Sequence, residues 1–319
     1  DEMLKGFLKA HSDIVESTEN GRVVKAKDIP EGKVGVVTGG GSGHKPAFVG
    51  YVGKNMCDAA AVGEICSSPT AAAFLDACKV ADQGKGVACL YGNYSGDNMN
   101  VKMAVQMAVD DDIEVKYVVA NDDVASAPKA VKEQRHGIAG GFFMWKVGGA
   151  RAAKGGSLDD VIASAQNVVN RTKSICVGLE PCVIPALGHS NFKIEDGTME
   201  FGVGHHGEAG TKVEKLKSAS EMAQEMAETI LNDFDFEEGK EVAVMLSGLG
   251  ATPVMELYVL YDEVEKVLAK AGHKVWKTYI GNYVTSLDMN GASLTIVDLD
   301  DEIKELLSEP AVPIGMKNY

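Results

Sequence analysis

No apolar run in this 319-residue sequence approaches the roughly 20 residues that a membrane-spanning helix needs, so a helical membrane protein is excluded. Basic residues are scarce: 31 Lys+Arg stand against 46 Asp+Glu, leaving a formal charge of −15. A chain this acidic repels a phosphate backbone, which argues against nucleic acid and anionic membrane as partners. Cys57, Cys66, Cys78, Cys89, Cys176 and Cys182 form no CxxC pair and no dense framework, so they read as reduced and mostly buried, as in a cytoplasm. The start, Asp1-Glu2-Met3-Leu4-Lys5, is no signal peptide and lacks an initiator methionine, which predicts that a few native residues are missing. Internal repeats and low-complexity tracts are absent. With 45% hydrophobic and 24% charged residues, the balance is that of a globular protein, not of a disordered or fibrous one. The length suggests two domains.

Glycine is in excess: 36 of 319, about 11% against a background of roughly 7%. The glycines cluster at the ends of β-like runs, where backbone must turn sharply or approach a ligand closely. Strands are expected at 33–38, 86–91 and 114–120, and helices at 68–81, 100–110, 139–154 and 157–172, the last opened by Ser157 with Asp159 and Asp160 behind it. Further on, strands are expected at 199–203, 241–246, 274–279 and 292–297, a long helix at 213–234, and another at 252–270 with Pro253 in its first turn. The first 30 residues give no clear pattern. Strands alternating with helices predict an α/β protein: two α/β domains with mainly parallel or mixed sheets flanked by helices. The boundary is expected near 175–180, dividing the chain into 1–177 and 178–319.

Three glycine-rich turns invite a nucleotide reading. Gly39-Gly40-Gly41-Ser42-Gly43-His44-Lys45 follows a strand, but His44 separates Gly43 from Lys45, so it is no P-loop. A nest of backbone N–H groups for an anion or hydroxyl is the favoured reading over a plain strand exit. Gly202-x-Gly204-x-x-Gly207 has dinucleotide spacing, yet His205 and His206 occupy the entry for the pyrophosphate and no second strand follows at the right distance. Ser247-Gly248-Leu249-Gly250-Ala251-Thr252-Pro253 reads as a capped turn with Thr252 as N-cap.

Among polar residues, Asp97 lies just beyond the carboxyl end of an expected strand and is a candidate general base; an Asx-turn or helix cap is the commoner use of a lone Asp. His205 and His206 are adjacent; on a strand their rings face opposite ways, which disfavours a shared metal and leaves one of them as a candidate nucleophile or acid–base group. His44 is a third candidate, whereas His11, His136, His189 and His273 read as surface or structural. Asn121-Asp122-Asp123 fans apart at a strand end, so no metal site is expected there.

At these turns a family becomes recognisable. Gly39-Gly40-Gly41-Ser42-Gly43-His44, Ser67-Ser68-Pro69-Thr70, Asn93-Tyr94-x-Gly96-Asp97-x-Met99-Asn100, Asn121-Asp122-Asp123-Val124 and Gly137-Ile138-Ala139-Gly140 occur in this order. Gly204-x-His206-Gly207-Glu208, Gly248-x-Gly250-Ala251-Thr252-Pro253 and Gly281-Asn282-Tyr283-x-Thr285-Ser286-x-Asp288-Met289 follow. Together they resemble the dihydroxyacetone kinase family, in its substrate-binding K subunit, over nearly the whole chain. The resemblance implies a cytoplasmic homodimer of two-domain α/β subunits, active in glycerol metabolism as part of a glycerone kinase. It implies that His206 binds the ketone covalently as a hemiaminal, selecting carbonyl compounds over glycerol. Asp97 then acts as base toward the attacking hydroxyl, and His44 assists. Backbone around Gly40 and Gly41, with Ser68, holds the substrate oxygens. No cofactor or metal is expected on this chain; Mg-ADP or Mg-ATP is expected on a separate nucleotide-bearing L subunit, since the chain ends at Tyr319 without room for that domain.

Four positions depart from the family's usual pattern: Lys45 where glutamate is common, Phe48 for histidine, Gly92 for a substrate-contacting lysine, and His205 for an apolar residue. Losing a lysine at 92 opens space, so a longer ketose such as erythrulose is a candidate substrate beside dihydroxyacetone. Some paralogues bind the ketose and act as transcriptional coactivators. The kinase-subunit reading is favoured because His206, Asp97 and His44 are all retained.

Overall fold

A computed structural model describes residues 2–190, 192–234 and 239–316. In chain order it contains α1 (Glu2–Ala10), β1 (Val15–Ser17), β2 (Val23–Ala26), β3 (Gly35–Gly40), β4 (Gly53–Lys54), β5 (Ala59–Val62), α2 (Ala71–Ala81) and β6 (Val87–Gly92). There follow α3 (Ser95–Ala108), β7 (Val115–Ala120), α4 (Gly141–Ala153), α5 (Leu158–Asn170), β8 (Thr172–Glu180), β9 (Thr198–Phe201) and β10 (Lys212–Lys215). The remainder is α6 (Ala219–Asp233), β11 (Glu241–Gly248), α7 (Val254–Lys270), β12 (Lys274–Gly281), β13 (Asn290–Asp298), α8 (Asp301–Ser308) and β14 (Val312–Pro313).

The chain forms two compact units, and neither is continuous in sequence. The first comprises the chain up to Ala120, Gly141–Asn170 and the residues from Asp301 on; the second comprises Asn121–Gly140 and Arg171–Asp300. This corrects the expected division into 1–177 and 178–319. The physical reason is tertiary. The buried Lys146 of α4 donates from Nζ to the carbonyls of Leu306 (3.0 Å) and Glu309 (2.6 Å), capping the C-terminus of α8 with a cation. The apolar face of α8, Ile303, Leu306 and Leu307, is buried, and β14 pairs with β4. In the second unit, Ser174 of β8 donates its N–H to Asp122 O (2.8 Å), and Arg135 makes two 2.7 Å bonds to Asp233 of α6. These contacts fix the 121–140 segment there.

The first unit's main sheet has the order β1-β2-β5-β3-β6-β7. Strands β5, β3, β6 and β7 run parallel, and β2 and β1 extend one edge antiparallel. The parallel strands read as continuous apolar or small runs because helices cover both faces. On one side Phe74, Ala77 and Cys78 of α2 and Val101 and Ala104 of α3 pack with Val37, Cys89 and Tyr91. On the other, Trp145 of α4 donates its indole N–H to Leu90 O (3.0 Å). Helix α2 starts later than the expected Ser68, because Thr70 is its N-cap and accepts the Ala73 N–H (3.2 Å). Helix α3 starts five residues before the expected Asn100, which puts Asp97 into its first turn.

The second unit's sheet, β10-β9-β8-β13-β11-β12, is mixed, with only the β11–β12 pair parallel. Helices α6 and α7 bury Met226, Ile230, Leu260 and Val264 against Ile175, Val177, Val244 and Leu246. The expected helix 213–234 is two elements. Lys212–Lys215 pairs with β9 as an edge strand, and α6 begins only after Ser218, whose hydroxyl and the Glu221 carboxylate form a capping box. The expected helix 157–172 likewise stops at Asn170, because Thr172 already pairs with Val297 in β8. Among the described residues no helix is long and apolar enough to cross a membrane.

Gly149, inside α4, tests this packing. A Cβ there would come within 2.5 Å of the Met56 Cα and carbonyl oxygen, which are backbone and cannot swing away. Alanine favours a helix by about 1 kcal/mol over glycine, yet overpacking costs about 1–3 kcal/mol. Gly149→Ala is therefore expected to lower the urea midpoint; an unchanged or higher midpoint would show that α4 can shift off Met56.

Candidate functional site

In the first unit, three adjacent parallel strands, β5, β3 and β6, end side by side, and their last residues and the segments that follow carry five of the six residues singled out. Ligands bind α/β sheets at such carboxyl ends. Gly40 closes β3, and Gly41 and His44 lie in the loop beyond it. Ser68 follows β5 and Asp97 follows β6. The loops are tied to one another. Ser42 donates its N–H to Glu64 O (2.9 Å) and its hydroxyl to Gly63 O (2.6 Å), and Asn100 Nδ2 donates to Pro69 O (2.7 Å). Space for side chains is short at the glycines. A Cβ on Gly40 would collide with the Phe48 ring, and one on Gly41 would press on the backbone at 64–67.

Asp97 is buried in the first turn of α3, three residues after its N-cap Tyr94. That end of a helix favours negative charge. Ser68 Oγ donates to Asp97 Oδ2 at 2.5 Å, and a Cβ on Gly96 would come within 2.6 Å of the same hydroxyl oxygen. The turn is held from behind: Tyr91 donates its hydroxyl hydrogen to Asn98 Oδ1 (3.0 Å), and Asn98 Nδ2 donates to Asn93 Oδ1 (2.7 Å). This Tyr91–Asn98–Asn93 chain was not singled out from sequence. The Asn-Tyr-x-Gly-Asp-Asn run displays Asn93 and Asn98, but only the fold shows that they bond to each other and to Tyr91 of β6.

His44 is buried with its ring edge-on to Phe48, centroids 6.1 Å apart, and Phe48 in turn stacks edge-on against Trp145 (5.5 Å). Beside it, burial lowers the Lys45 ammonium to about 8.

His206 belongs to the second unit. The segment after β9 leads into β10 through a turn in which Gly207 donates to Gly204 O (3.1 Å) and adopts φ +79°. His205 and His206 are the turn's central residues, so they do not alternate along a strand as expected, and no helix follows as a dinucleotide site would need. Their environments differ. His205 is buried, its carbonyl accepts the Ser286 hydroxyl (2.5 Å), and burial pulls its imidazole down to about 4, helped by His206 and opposed by Glu208. His206 is half-buried; its N–H donates to Glu208 Oε2 (2.8 Å) and its ring Nδ1 faces Glu208 Oε1 at 3.1 Å. Burial would raise the Glu208 carboxyl, but the hydrogen bonds and charge of His206 hold it at about 2.

The Asn121-Asp122-Asp123 run is structural. The Asp122 carboxylate accepts N–H groups from Ile138 (3.1 Å) and Gly140 (2.8 Å), and that of Asp123 accepts from Ala125 (3.0 Å). Among the described residues no group of three His, Cys, Asp or Glu side chains is arranged to hold a metal. The third glycine turn also serves structure. Pro253 is the N-cap of α7, while the expected cap Thr252 instead donates to Gly291 O (2.6 Å) and accepts the Gly291 N–H (2.8 Å).

Asp123 gives a pH prediction. Burial lifts its carboxyl to about 7, opposed by the Ala125 N–H and the Arg135 cation and reinforced by the charges of Asp122 and Glu208. An unfolded aspartate ionises near 3.9. As pH rises from about 4 to about 7, the unfolded chain loses a proton that the folded chain keeps, so stability falls through that window. Asparagine still accepts the Ala125 N–H and carries no such penalty. Asp123→Asn should therefore gain on the parent between pH 4 and pH 7, by on the order of 2–4 kcal/mol. Urea unfolding at both ends of the range measures it, and a pH-independent gap between the two proteins would refute it.

The chain matches the Dak1 domain family model over residues 5–314. It is 42% identical over 302 residues to the dihydroxyacetone-binding subunit DhaK of PTS-dependent dihydroxyacetone kinase 1 of Listeria innocua serovar 6a, covering 95% of this chain and 92% of that one. It is 39% identical to a D-erythrulose kinase of Mycolicibacterium smegmatis, covering 98% of this chain and 53% of that longer protein. Among solved structures it is similar to a dihydroxyacetone kinase operon co-activator, with a TM-score of 0.94, 30% identity, and coverage of 100% of this chain and 98% of the other.

Proposed function

The chain belongs to the dihydroxyacetone kinase family, in its Dak1 domain, and from that membership we propose that it is the ketose-binding subunit of a two-component kinase. It captures dihydroxyacetone or a related short ketose such as erythrulose and presents a substrate hydroxyl for phosphorylation. His206 adds to the ketone carbonyl, which selects ketoses over glycerol. Backbone around Gly40 and Gly41, with Ser68, holds the substrate oxygens. Asp97 accepts the proton of the hydroxyl that attacks phosphorus, and His44 assists by hydrogen bonding. The observation that carries this reading is the buried Asp97 carboxylate at the N-terminal end of α3, fixed by Ser68 at 2.5 Å where three parallel strands end. A protein that only binds ketose has no need of a base there.

Phosphoryl transfer needs metal or cationic groups to offset charge on the phosphates. A chain of charge −15 is poorly suited to capture ATP unaided. The nucleotide and magnesium therefore come with a separate subunit, and the subunit described here works as a homodimer in the cytoplasm. The test is a ketose phosphorylation assay on purified protein with ATP and magnesium, with and without a nucleotide-bearing L-type subunit. Dihydroxyacetone and erythrulose are compared as substrates. Turnover only with the partner supports the proposal. Turnover without it would reveal a nucleotide site on this chain. Ketose binding with no turnover under any donor would favour a regulatory, coactivator-like role.

A further inference from the structure

We infer that Glu208 is a positioning residue for His206: its carboxylate holds the imidazole proton on Nδ1, leaves Nε2 as the nucleophilic nitrogen, and serves as counter-ion once Nε2 has added to a carbonyl. The inference rests on reading His206 as the ketose-capturing residue.

Two contacts define the arrangement. Glu208 Oε2 accepts the backbone N–H of His206 (2.8 Å) while Oε1 faces ring Nδ1 (3.1 Å). The carboxylate is thereby fixed to the same main chain that carries the imidazole. The turn is shaped around it. Gly204 donates its N–H to Glu208 O (2.9 Å), and a Cβ at position 204 would collide with the Glu208 side chain. The neighbouring His205 shares none of this: it is buried and its carbonyl is tied to Ser286. Of two adjacent histidines, one is thus anchored into the second unit and the other is half-buried against a carboxylate.

The chemistry follows from what each atom can donate. An ionised carboxylate only accepts hydrogen bonds, and the two contacts from His206 favour that form of Glu208. The ring nitrogen facing it must therefore carry the hydrogen, and in the neutral ring the lone pair lies on Nε2. A free imidazole of histidine prefers its proton on Nε2, where it blocks attack by that atom, so Glu208 reverses the intrinsic preference. In capture, the Nε2 lone pair forms a bond to the ketone carbon. The C=O π pair passes to oxygen, which takes a proton from water; the hydroxide left is neutralised by the buffer, so capture takes up one proton overall. The ring is left as a cation that keeps its Nδ1–H, and Glu208 balances its charge.

The experiment uses the full chain labelled with 15N at histidine and dihydroxyacetone labelled with 13C at its carbonyl carbon. In the parent, the neutral His206 ring should show a protonated Nδ1 and a bare Nε2, and the ketone carbon should move into the sp3 region on binding. Glu208→Gln should transfer the ring proton toward Nε2 and slow capture about 10- to 100-fold, by analogy with the loss when the orienting partner of a metal-ligating histidine is removed. Glu208→Asp, which keeps the charge, should recover part of the rate. A parent His206 with its proton on Nε2 would overturn the inference without any variant. So would a Glu208→Gln protein with unchanged ring signals and unchanged capture rate. Absence of the sp3 carbon in the parent would instead remove the capture reading, while the nitrogen spectrum still decides what Glu208 does to the ring.

Discussion

Asp97→Asn is expected to leave ketose capture intact and to slow phosphoryl transfer by about 10²–10⁴-fold, the usual contribution of a general base. Asparagine is nearly isosteric with aspartate, and its side-chain oxygen still accepts the Ser68 hydroxyl now at 2.5 Å. The first turn of α3 should survive, because Tyr91, Asn98 and Asn93 hold it by bonds that do not involve Asp97. What is lost is the site that takes the substrate proton as oxygen attacks phosphorus. Helix stability changes little: the substitution removes one negative charge from a helix N-terminus, worth about 0.3–1 kcal/mol. The measurement is single-turnover phosphorylation with the nucleotide-bearing subunit in excess, alongside the 13C signal of bound ketose. A fall of less than tenfold with capture preserved would remove Asp97 from the role of base. Loss of both signals together would point to a collapsed loop rather than to chemistry.

The parallel strands and their glycine exits were legible in the sequence for a physical reason. Strands β3 and β6 are covered on both faces, so they read as short apolar runs, and each ends on a glycine, in β3 because a side chain no longer fits. At Gly40 the obstacle is the Phe48 ring, far enough along the chain that no local pattern announces it. Strand β10 was not legible. Lys212-Val213-Glu214-Lys215 is an exposed edge strand with no buried face to impose a period of two, and it blends into the amphipathic pattern of α6. The discontinuous units were also hidden. Nothing near Lys146 signals that its ammonium caps a helix some 160 residues later, and nothing near Arg135 signals Asp233. Of the site, the histidines, Ser68 and Asp97 came from turn position and family resemblance. Glu208 stood inside a quoted motif, but its two bonds to His206 exist only once the turn closes.

His206→Ala is expected to abolish covalent capture outright while the fold stands. The ring sits in a turn and is half-buried, so its removal empties no core. The turn's main-chain bonds, from Gly204 to Glu208 and from Gly207 to Gly204, do not use the imidazole, and His205 still anchors the segment through Ser286. Glu208 keeps the backbone N–H at position 206 as a donor, so the carboxylate is not stranded. With no nitrogen to add to the carbonyl, bound ketose is held by hydrogen bonds alone, and those a hydroxyl-bearing alcohol can also make. Preference for ketose over glycerol should therefore collapse together with the sp3 carbon signal. Carbonyl-13C dihydroxyacetone, titrated into the variant and the parent beside a thermal melt of each, reads both quantities. An sp3 carbon signal of undiminished intensity in the variant would place the covalent attachment on another nucleophile. A melt displaced far below the parent's would mean that the imidazole supports the turn as well as the chemistry. In that case, the comparison should be repeated with His206→Gln, which fills most of the same space without offering a nitrogen lone pair.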